Sequence, residues 1–161
     1  MKCTNCNQEY SKDQLRFVDD QPICINCLHN NSDPLTVWPI GYVVNDKKRP
    51  KDDFGTTGGN VSEIHLYPNM IRFMKGLEDE THLTIVWQIH KSRSIKSIFK
   101  RGWDKKEVGP FASRTPDRLT PIAVSEVELV SVDGTTLVVR DLDAIDGTPV
   151  LDIKVSFKSL K

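Results

Sequence analysis

The chain has 161 residues, with 22 Lys and Arg balanced by 22 Asp and Glu. That length allows one domain, or one domain plus a small module that needs a staple; zero net charge excludes a uniformly basic coat but leaves room for a local patch. With 38% hydrophobic and 27% charged residues, the composition is that of a globular protein and excludes global disorder.

In chain order, the first feature is a pair of cysteine knuckles. Cys3 and Cys6 form one C-x-x-C, Cys24 and Cys27 the other, with 17 residues between Cys6 and Cys24. Two intervening residues let a tight turn aim both sulfurs at one ion, and two such turns complete a tetrahedron at roughly 2.3 Å. The start, Met-Lys-Cys-Thr-Asn-Cys, has no apolar signal region, and no run approaches the roughly 20 apolar residues of a membrane helix. The expectation is therefore a cytoplasmic protein without a membrane partner, whose thiols stay reduced and bind metal. Four thiolates leave no open coordination position, so the zinc is expected to be structural, folding a segment too short for its own core. Two short β-like runs around Asp19-Asp20, with Leu15, Phe17, Val18 and Ile23 as a thin apolar layer, make this a zinc ribbon. His29–Pro34 reads as a polar linker, giving a ribbon and linker over 1–34 and a second domain over 35–161.

Trp38–Asn45 is apolar and β-branched. Val61–Tyr67 alternates, with Ser62, Ile64 and Leu66 on one side. Leu83–His90 reads as a buried strand. Ile122–Val132 and Thr136–Leu142 flank Asp133-Gly134, a hairpin signal, and Asp146-Gly147 marks a tight turn before Val150–Ile153. Helical pattern is thin: Asn69–Leu77 predicts two turns, and Ser94–Lys100 one or two, with Ile95, Ile98 and Phe99 on one face. Many short strands and few helices predict a mainly β fold, a barrel or sandwich. No G-x-G-x-x-G follows the first strand, so a Rossmann cofactor site is unsupported.

Two loops stand out. Residues 46–60 are long and glycine-rich, which inside a compact domain signals function. Residues 91–106 carry seven Lys and Arg against the single acid Asp104, with Phe99 and Trp103 among them. Cations interleaved with aromatics suit a phosphate backbone with exposed bases; Lys100, Arg101, Lys105 and Lys106 are the candidate RNA-binding residues, and a solvated face is the bland alternative.

Four blocks resemble the TrmO/TsaA-like family of S-adenosylmethionine-dependent tRNA methyltransferases. They are Pro39-Ile40-Gly41-Tyr42-Val43-Val44, then Gly76-Leu77-Glu78-Asp79 with the strand ending in His90-Lys91. Next come Phe111-Ala112-Ser113-Arg114-Thr115-Pro116-Asp117-Arg118 and Asp143 through Lys154 (D-A-I-D-G-T-P-V-L-D-I-K). The resemblance implies a small closed β-barrel behind the four-cysteine zinc ribbon, a homodimer, S-adenosylmethionine as cofactor and tRNA as partner. It further implies methyl transfer to the exocyclic nitrogen of threonylcarbamoyl-adenosine beside the anticodon. Carried over by position, the cofactor contacts are Phe54, Gly55, Thr56, His90, Lys91, Arg114, Asp141, Leu142, Asp143 and Ala144.

In such a transfer the positive charge on sulfur disappears, so a carboxylate beside sulfur would favour the ground state. The protein must chiefly align nucleophile and methyl carbon. A urea-like nitrogen benefits from losing its proton, and Asp143, Asp146 and His90 are the available bases; Asp-Gly-Thr-Pro is also simply good turn chemistry. Arg114 suits a carboxylate or phosphate by its bidentate fork. The stretch Arg118-Leu119-Thr120-Pro121-Ile122-Ala123 departs from the R-P-N-P-I-G usual in that family, which keeps two alternatives open: the same fold methylating another small molecule or nucleotide, and a non-catalytic RNA- or protein-binding module.

Overall fold

The computed structural model describes residues 1–47, 60–91 and 94–159. It divides into two compact units, Met1–Thr36 with Lys91–Pro121, and Val37–His90 with Ile122–Lys161. Residues 91–121, read from sequence as part of the second domain, therefore group with the N-terminal segment.

In the first unit, β1 (Leu15–Val18) pairs antiparallel with β2 (Gln21–Cys24). Asp19 and Asp20 both adopt left-handed backbone, φ 49° and 64°, the geometry of a two-residue turn whose twist matches its strands. A single helical turn, α1 (Ile25–Leu28), follows directly. Leu15 is buried with Cys3 and Cys24, packed by Tyr10, Ile23 and Cys27, a core too small to fold 36 residues unaided.

The second unit contains β3 (Gly41–Val44), β4 (Val61–Leu66) and β5 (His82–Gln88). In the first unit again, β6 (Phe99–Lys100) pairs with β7 (Glu107–Val108). The second unit resumes with β8 (Ile122–Asp133), β9 (Thr136–Arg140) and β10 (Pro149–Val155). Six of these strands close a barrel in the order β10-β3-β4-β9-β8-β5, every neighbouring pair antiparallel. Closure leaves no edge strand to template aggregation, and the mainly β expectation is met. The alternation expected in β4 holds: Ser62, Ile64 and Leu66 point inward and Val61 and Glu63 outward. Val43, Ile64, Leu83, Ile85, Val127, Leu137, Val139 and Val150 fill the interior, each aliphatic chain contributing about 1.5–3 kcal/mol by leaving water. The Asp133-Gly134 hairpin forms, with Asp133 opposite Thr136 and Gly134 at φ 54°. At Gly41 an added Cβ would stand 2.4 Å from the His65 carbonyl oxygen, so β3 and β4 cross closely only because that side chain is missing. Outside the barrel, Glu126 accepts hydrogen bonds from the hydroxyls of Thr84 and Ser156, tying three strand segments together.

The first helical expectation is met in 3₁₀ rather than α form, and the second is corrected. Asn69–Leu77 forms a 3₁₀ turn over Pro68–Phe73 and another over Leu77–Asp79, separated by left-handed Gly76 at φ 84°. Ser94–Lys100 is not helical: it holds a bridge at Ile95, a bend at Ser97-Ile98 and strand β6. Ile95 makes a parallel bridge to Val18 and Phe99 pairs with Val108, so contacts with other strands override the apolar spacing that mimics a helix face.

Candidate functional site

The four cysteine sulfurs all lie within 4.8 Å of one another, with Cys6 Sγ 4.0 Å from Cys24 Sγ. A disulfide needs about 2.05 Å, and all four cysteines are free. A tetrahedron with 2.3 Å arms has edges of about 3.8 Å, so the cluster fits one tetrahedral ion. The knuckles are shaped for thiolates: Cys24 N–H donates to Cys3 Sγ at 3.3 Å and Cys27 N–H to Cys24 Sγ at 3.4 Å. Burial pushes the Cys3 thiol up, but backbone N–H groups of Cys24, Cys6 and Asn5 outweigh it and bring it down to about 6. Cys27 is pushed up to about 12 by the Cys24 sulfur, by burial and by Cys6 and Cys3. Four sulfurs this close cannot all ionise without a cation among them, which is the donor-set chemistry of a bound divalent metal.

A second cluster surrounds the segment between β9 and β10. Asp141 takes a left-handed φ of 67° and its N–H donates to Asn60 O at 3.3 Å. Leu142 and Ala144 are buried, anchoring the turn in the barrel core. Asn45, one residue past β3, is the main strut. Its Nδ2 donates to Ala144 O and to Ser62 Oγ, both at 3.0 Å. Its backbone N–H donates to Asp146 Oδ1 at 3.2 Å. Lys47 Nζ donates to Leu142 O at 2.9 Å. His90 Nδ1 lies 3.3 Å from Thr148 Oγ1, which fastens the strand end to the same segment. Sequence reading missed Asn45 and Lys47; the only hint was their place between the first barrel strand and the glycine-rich loop.

Asp141 Oδ1 is buried and has no hydrogen-bond partner among the described residues. An orphaned acceptor of this kind costs about 1–3 kcal/mol, and it suits a ligand that brings hydroxyl or amino donors, as a nucleoside cofactor does. Asp143 is an exposed residue whose carboxyl is nonetheless pushed above its ordinary range by local desolvation, opposed in part by Lys47. Asp146, by accepting from Asn45, carries turn structure. Phe54, Gly55 and Thr56 lie outside the described residues. Lys91 and Arg114 belong to the other compact unit, where Arg114 is exposed.

Of the four cations singled out for RNA, Lys100, Lys105 and Lys106 are exposed. Arg101 is not a free cation. Its fork bridges both Asp104 oxygens at 3.0 and 2.5 Å, and its third nitrogen donates to Ala112 O at 2.8 Å. It also lies 4.5 Å from the centroid of the Trp103 ring. Among the described residues, no helix is long and apolar enough to cross a membrane.

Residues 45–160 match the tRNA-methyltransferase O N-terminal domain family. A probable S-adenosyl-L-methionine-binding protein of Methanothermobacter thermautotrophicus is 34% identical over 129 residues, covering 78% of this chain and 93% of that one. A protein of Pyrococcus abyssi with the same description is 31% identical, covering 72% and 65%. The Escherichia coli tRNA (adenine(37)-N6)-methyltransferase is 34% identical over 108 residues, covering 57% and 43%. The crystal structure of TrmO from P. aeruginosa superimposes with a TM-score of 0.61 at 24% identity, over 78% of this chain and 55% of that one, a likeness of fold. The chain thus spans about two fifths to two thirds of the length of three of these proteins and nearly all of the Methanothermobacter protein. On the family match across most of its length, this chain belongs to the tRNA-methyltransferase O N-terminal domain family.

Proposed function

We propose that this protein is an S-adenosylmethionine-dependent methyltransferase acting on the N6 nitrogen of an adenine in tRNA, with threonylcarbamoyl-adenosine beside the anticodon as the acceptor. The observation that carries the reading is the Asp141–Ala144 turn, held by Asn45 and Lys47 on a family-matching barrel and presenting one buried carboxylate oxygen without a partner among the described residues. The named functions of the relatives support the cofactor and the tRNA. Asp141 would hold the cofactor's donor groups, and Leu142 and Ala144 would set the floor of its pocket. Phe54, Gly55, Thr56, His90, Lys91 and Arg114 complete the set by family position. When bound, the cofactor would supply an electrophilic methyl group to the acceptor nitrogen, its sulfur taking the bonding electrons as leaving group.

The chain's own work is alignment and proton removal. Of the candidate bases Asp143, Asp146 and His90, Asp143 is the choice, because local desolvation raises its carboxyl above the ordinary range and makes it a stronger proton acceptor. Asp146 has a turn to hold. In this reading the four cysteines hold one structural zinc, tRNA contacts involve Lys100, Lys105 and Lys106, and the protein works as a cytoplasmic homodimer.

The test is transfer of a labelled methyl group to bulk tRNA that contains or lacks threonylcarbamoyl-adenosine. Label only in the modified pool is expected, and Asp143→Asn should lower turnover even at saturating cofactor. Equal labelling of both pools would reassign the acceptor, and label in neither would remove the tRNA reading.

A further inference from the structure

Nine of the chain's 22 Lys and Arg fall in residues 91–121, against three of its 22 Asp and Glu. A neutral protein therefore concentrates its cations on one segment. That segment does not stand alone. Ile95 N–H donates to Phe17 O and Asp19 N–H to Ile95 O, both at 2.8 Å, so Ile95 extends the β1 edge of the ribbon. Ile95 is only 4% exposed. Asp19 Oδ1 accepts from Ser97 N–H at 2.9 Å, and Lys96 pairs with Asp20 at 2.5 Å. Lys96 is thus committed to the ribbon and Arg101 to Asp104. Lys100, Lys105 and Lys106 remain exposed with no acidic partner among the described residues.

Two aromatics share this segment. Trp103 is 59% exposed, with Arg101 against its ring, and Phe111 is 82% exposed. Phe111 sits on the 3₁₀ turn Pro110–Ala112, which is gripped twice. Arg101 donates to Ala112 O, and Arg118 donates to Pro110 O at 3.0 Å and Ser113 O at 3.2 Å. One guanidinium thus joins the element carrying Trp103 to the turn carrying Phe111. Holding an exposed phenyl ring this firmly has no value for the core. Flat apolar rings beside unpaired cations match a strand whose phosphates are charged and whose bases are free to stack.

We propose that the ribbon edge and the 94–118 segment form one metal-dependent surface for unpaired RNA, with Lys100, Lys105 and Lys106 on phosphates and Trp103 and Phe111 stacking on bases. This deepens, and rests on, the tRNA reading above. The four cysteines touch no RNA; they hold the strand on which the hairpin is built.

The test measures binding of the full-length, metal-loaded protein to bulk tRNA, to an unstructured RNA oligonucleotide and to a blunt RNA duplex. Trp103→Ala and Phe111→Ala should each weaken binding to tRNA and to the oligonucleotide about fivefold to a hundredfold and leave the duplex unaffected. Replacing Lys100, Lys105 and Lys106 with alanine should flatten the slope of log affinity against log salt by about 2 for the oligonucleotide. Asp19→Ala is the discriminating variant. It removes a negative charge, so simple electrostatics predicts tighter binding, whereas loss of the Ser97 anchor predicts weaker binding, with Asp19→Asn restoring affinity. Chelating the metal should weaken RNA binding while the barrel's unfolding transition stays in place. Unchanged affinity in the Trp103→Ala/Phe111→Ala double variant, an equal loss on the duplex, or tighter binding by Asp19→Ala would each overturn the proposal. If only the methyltransferase reading fails, the wild type transfers no methyl group to tRNA yet still binds unpaired RNA through these residues.

Discussion

Asn45→Ala tests whether the turn between β9 and β10 is held by the end of β3, the strand next to β10. The substitution removes three side-chain hydrogen bonds: to Ser62 Oγ, to Ala144 O and from Lys47 N–H, each 3.0 Å. It spares the fourth, from the backbone N–H to Asp146. Each lost bond is worth about 0.5–1.5 kcal/mol net, and a buried partner left unsatisfied costs more. Ser62 is 2% exposed, so little water can replace its partner, whereas half-buried Lys47 N–H regains some. The sum is about 2–4 kcal/mol, read as a lower urea midpoint at unchanged slope. Because the Ala144 carbonyl is one of the released groups, S-adenosylmethionine affinity by calorimetry should fall at least about tenfold, or roughly 1.4 kcal/mol. Asn45→Asp retains the acceptor for Lys47 and loses both donations, so its stability should lie between wild type and alanine. A loss under about 0.5 kcal/mol with cofactor affinity intact would refute the strut.

Gly41→Ala forces a methyl group to 2.4 Å from His65 O and 2.8 Å from Leu66 Cα. Both are backbone atoms that cannot swing aside, so the barrel should lose about 3 kcal/mol; an unchanged urea midpoint would contradict the close crossing. Cys24→Ser should lower bound zinc from one equivalent per chain and abolish slow amide exchange at Ile95 while Ile64 and Leu137 stay protected. Loss of protection at Ile64 as well would show that the units do not fold independently. Hydrogen bonds from Ser156 and then Thr84 hold the Glu126 carboxyl below its ordinary value. Its folded pKa lies under the unfolded one, so the stabilisation is complete above about pH 5 and fades as pH falls through the depressed value. The melting-temperature gap between wild type and Glu126→Gln should therefore be full at neutral pH and close on acidification, and a gap constant down to about pH 3 would sink this account.

Features written in short-range chemistry were legible in the sequence. The two C-x-x-C knuckles converge, Asp133-Gly134 makes its hairpin, and the alternation through Ser62, Ile64 and Leu66 gives the buried face of β4. What failed has partners far away in the chain. Ile95, Ile98 and Phe99 have helical spacing, yet Ile95 answers to Val18 and Phe99 to Val108, while Ile98 is left exposed. Asn45 and Lys47 look like ordinary loop polars because the carbonyls they hold lie 99 and 95 residues later. The cation count in 91–106 was visible, but not that Arg101 is tied to Asp104.

Strands β5 and β8 are antiparallel neighbours, with Gln88 opposite Ile122, so residues 89–121 are in topological terms one long hairpin loop. The surgical boundary of the barrel therefore has two cuts. Removing the first 36 residues alone strips Ile95 of the strand that covers it and exposes its apolar side chain. Removing both segments and rejoining the ends of β5 and β8 with a tight turn is the excision that respects the chain path. By the same logic, a ribbon transplanted to another protein would arrive with its β1 edge bare unless residues 94–97 travelled with it.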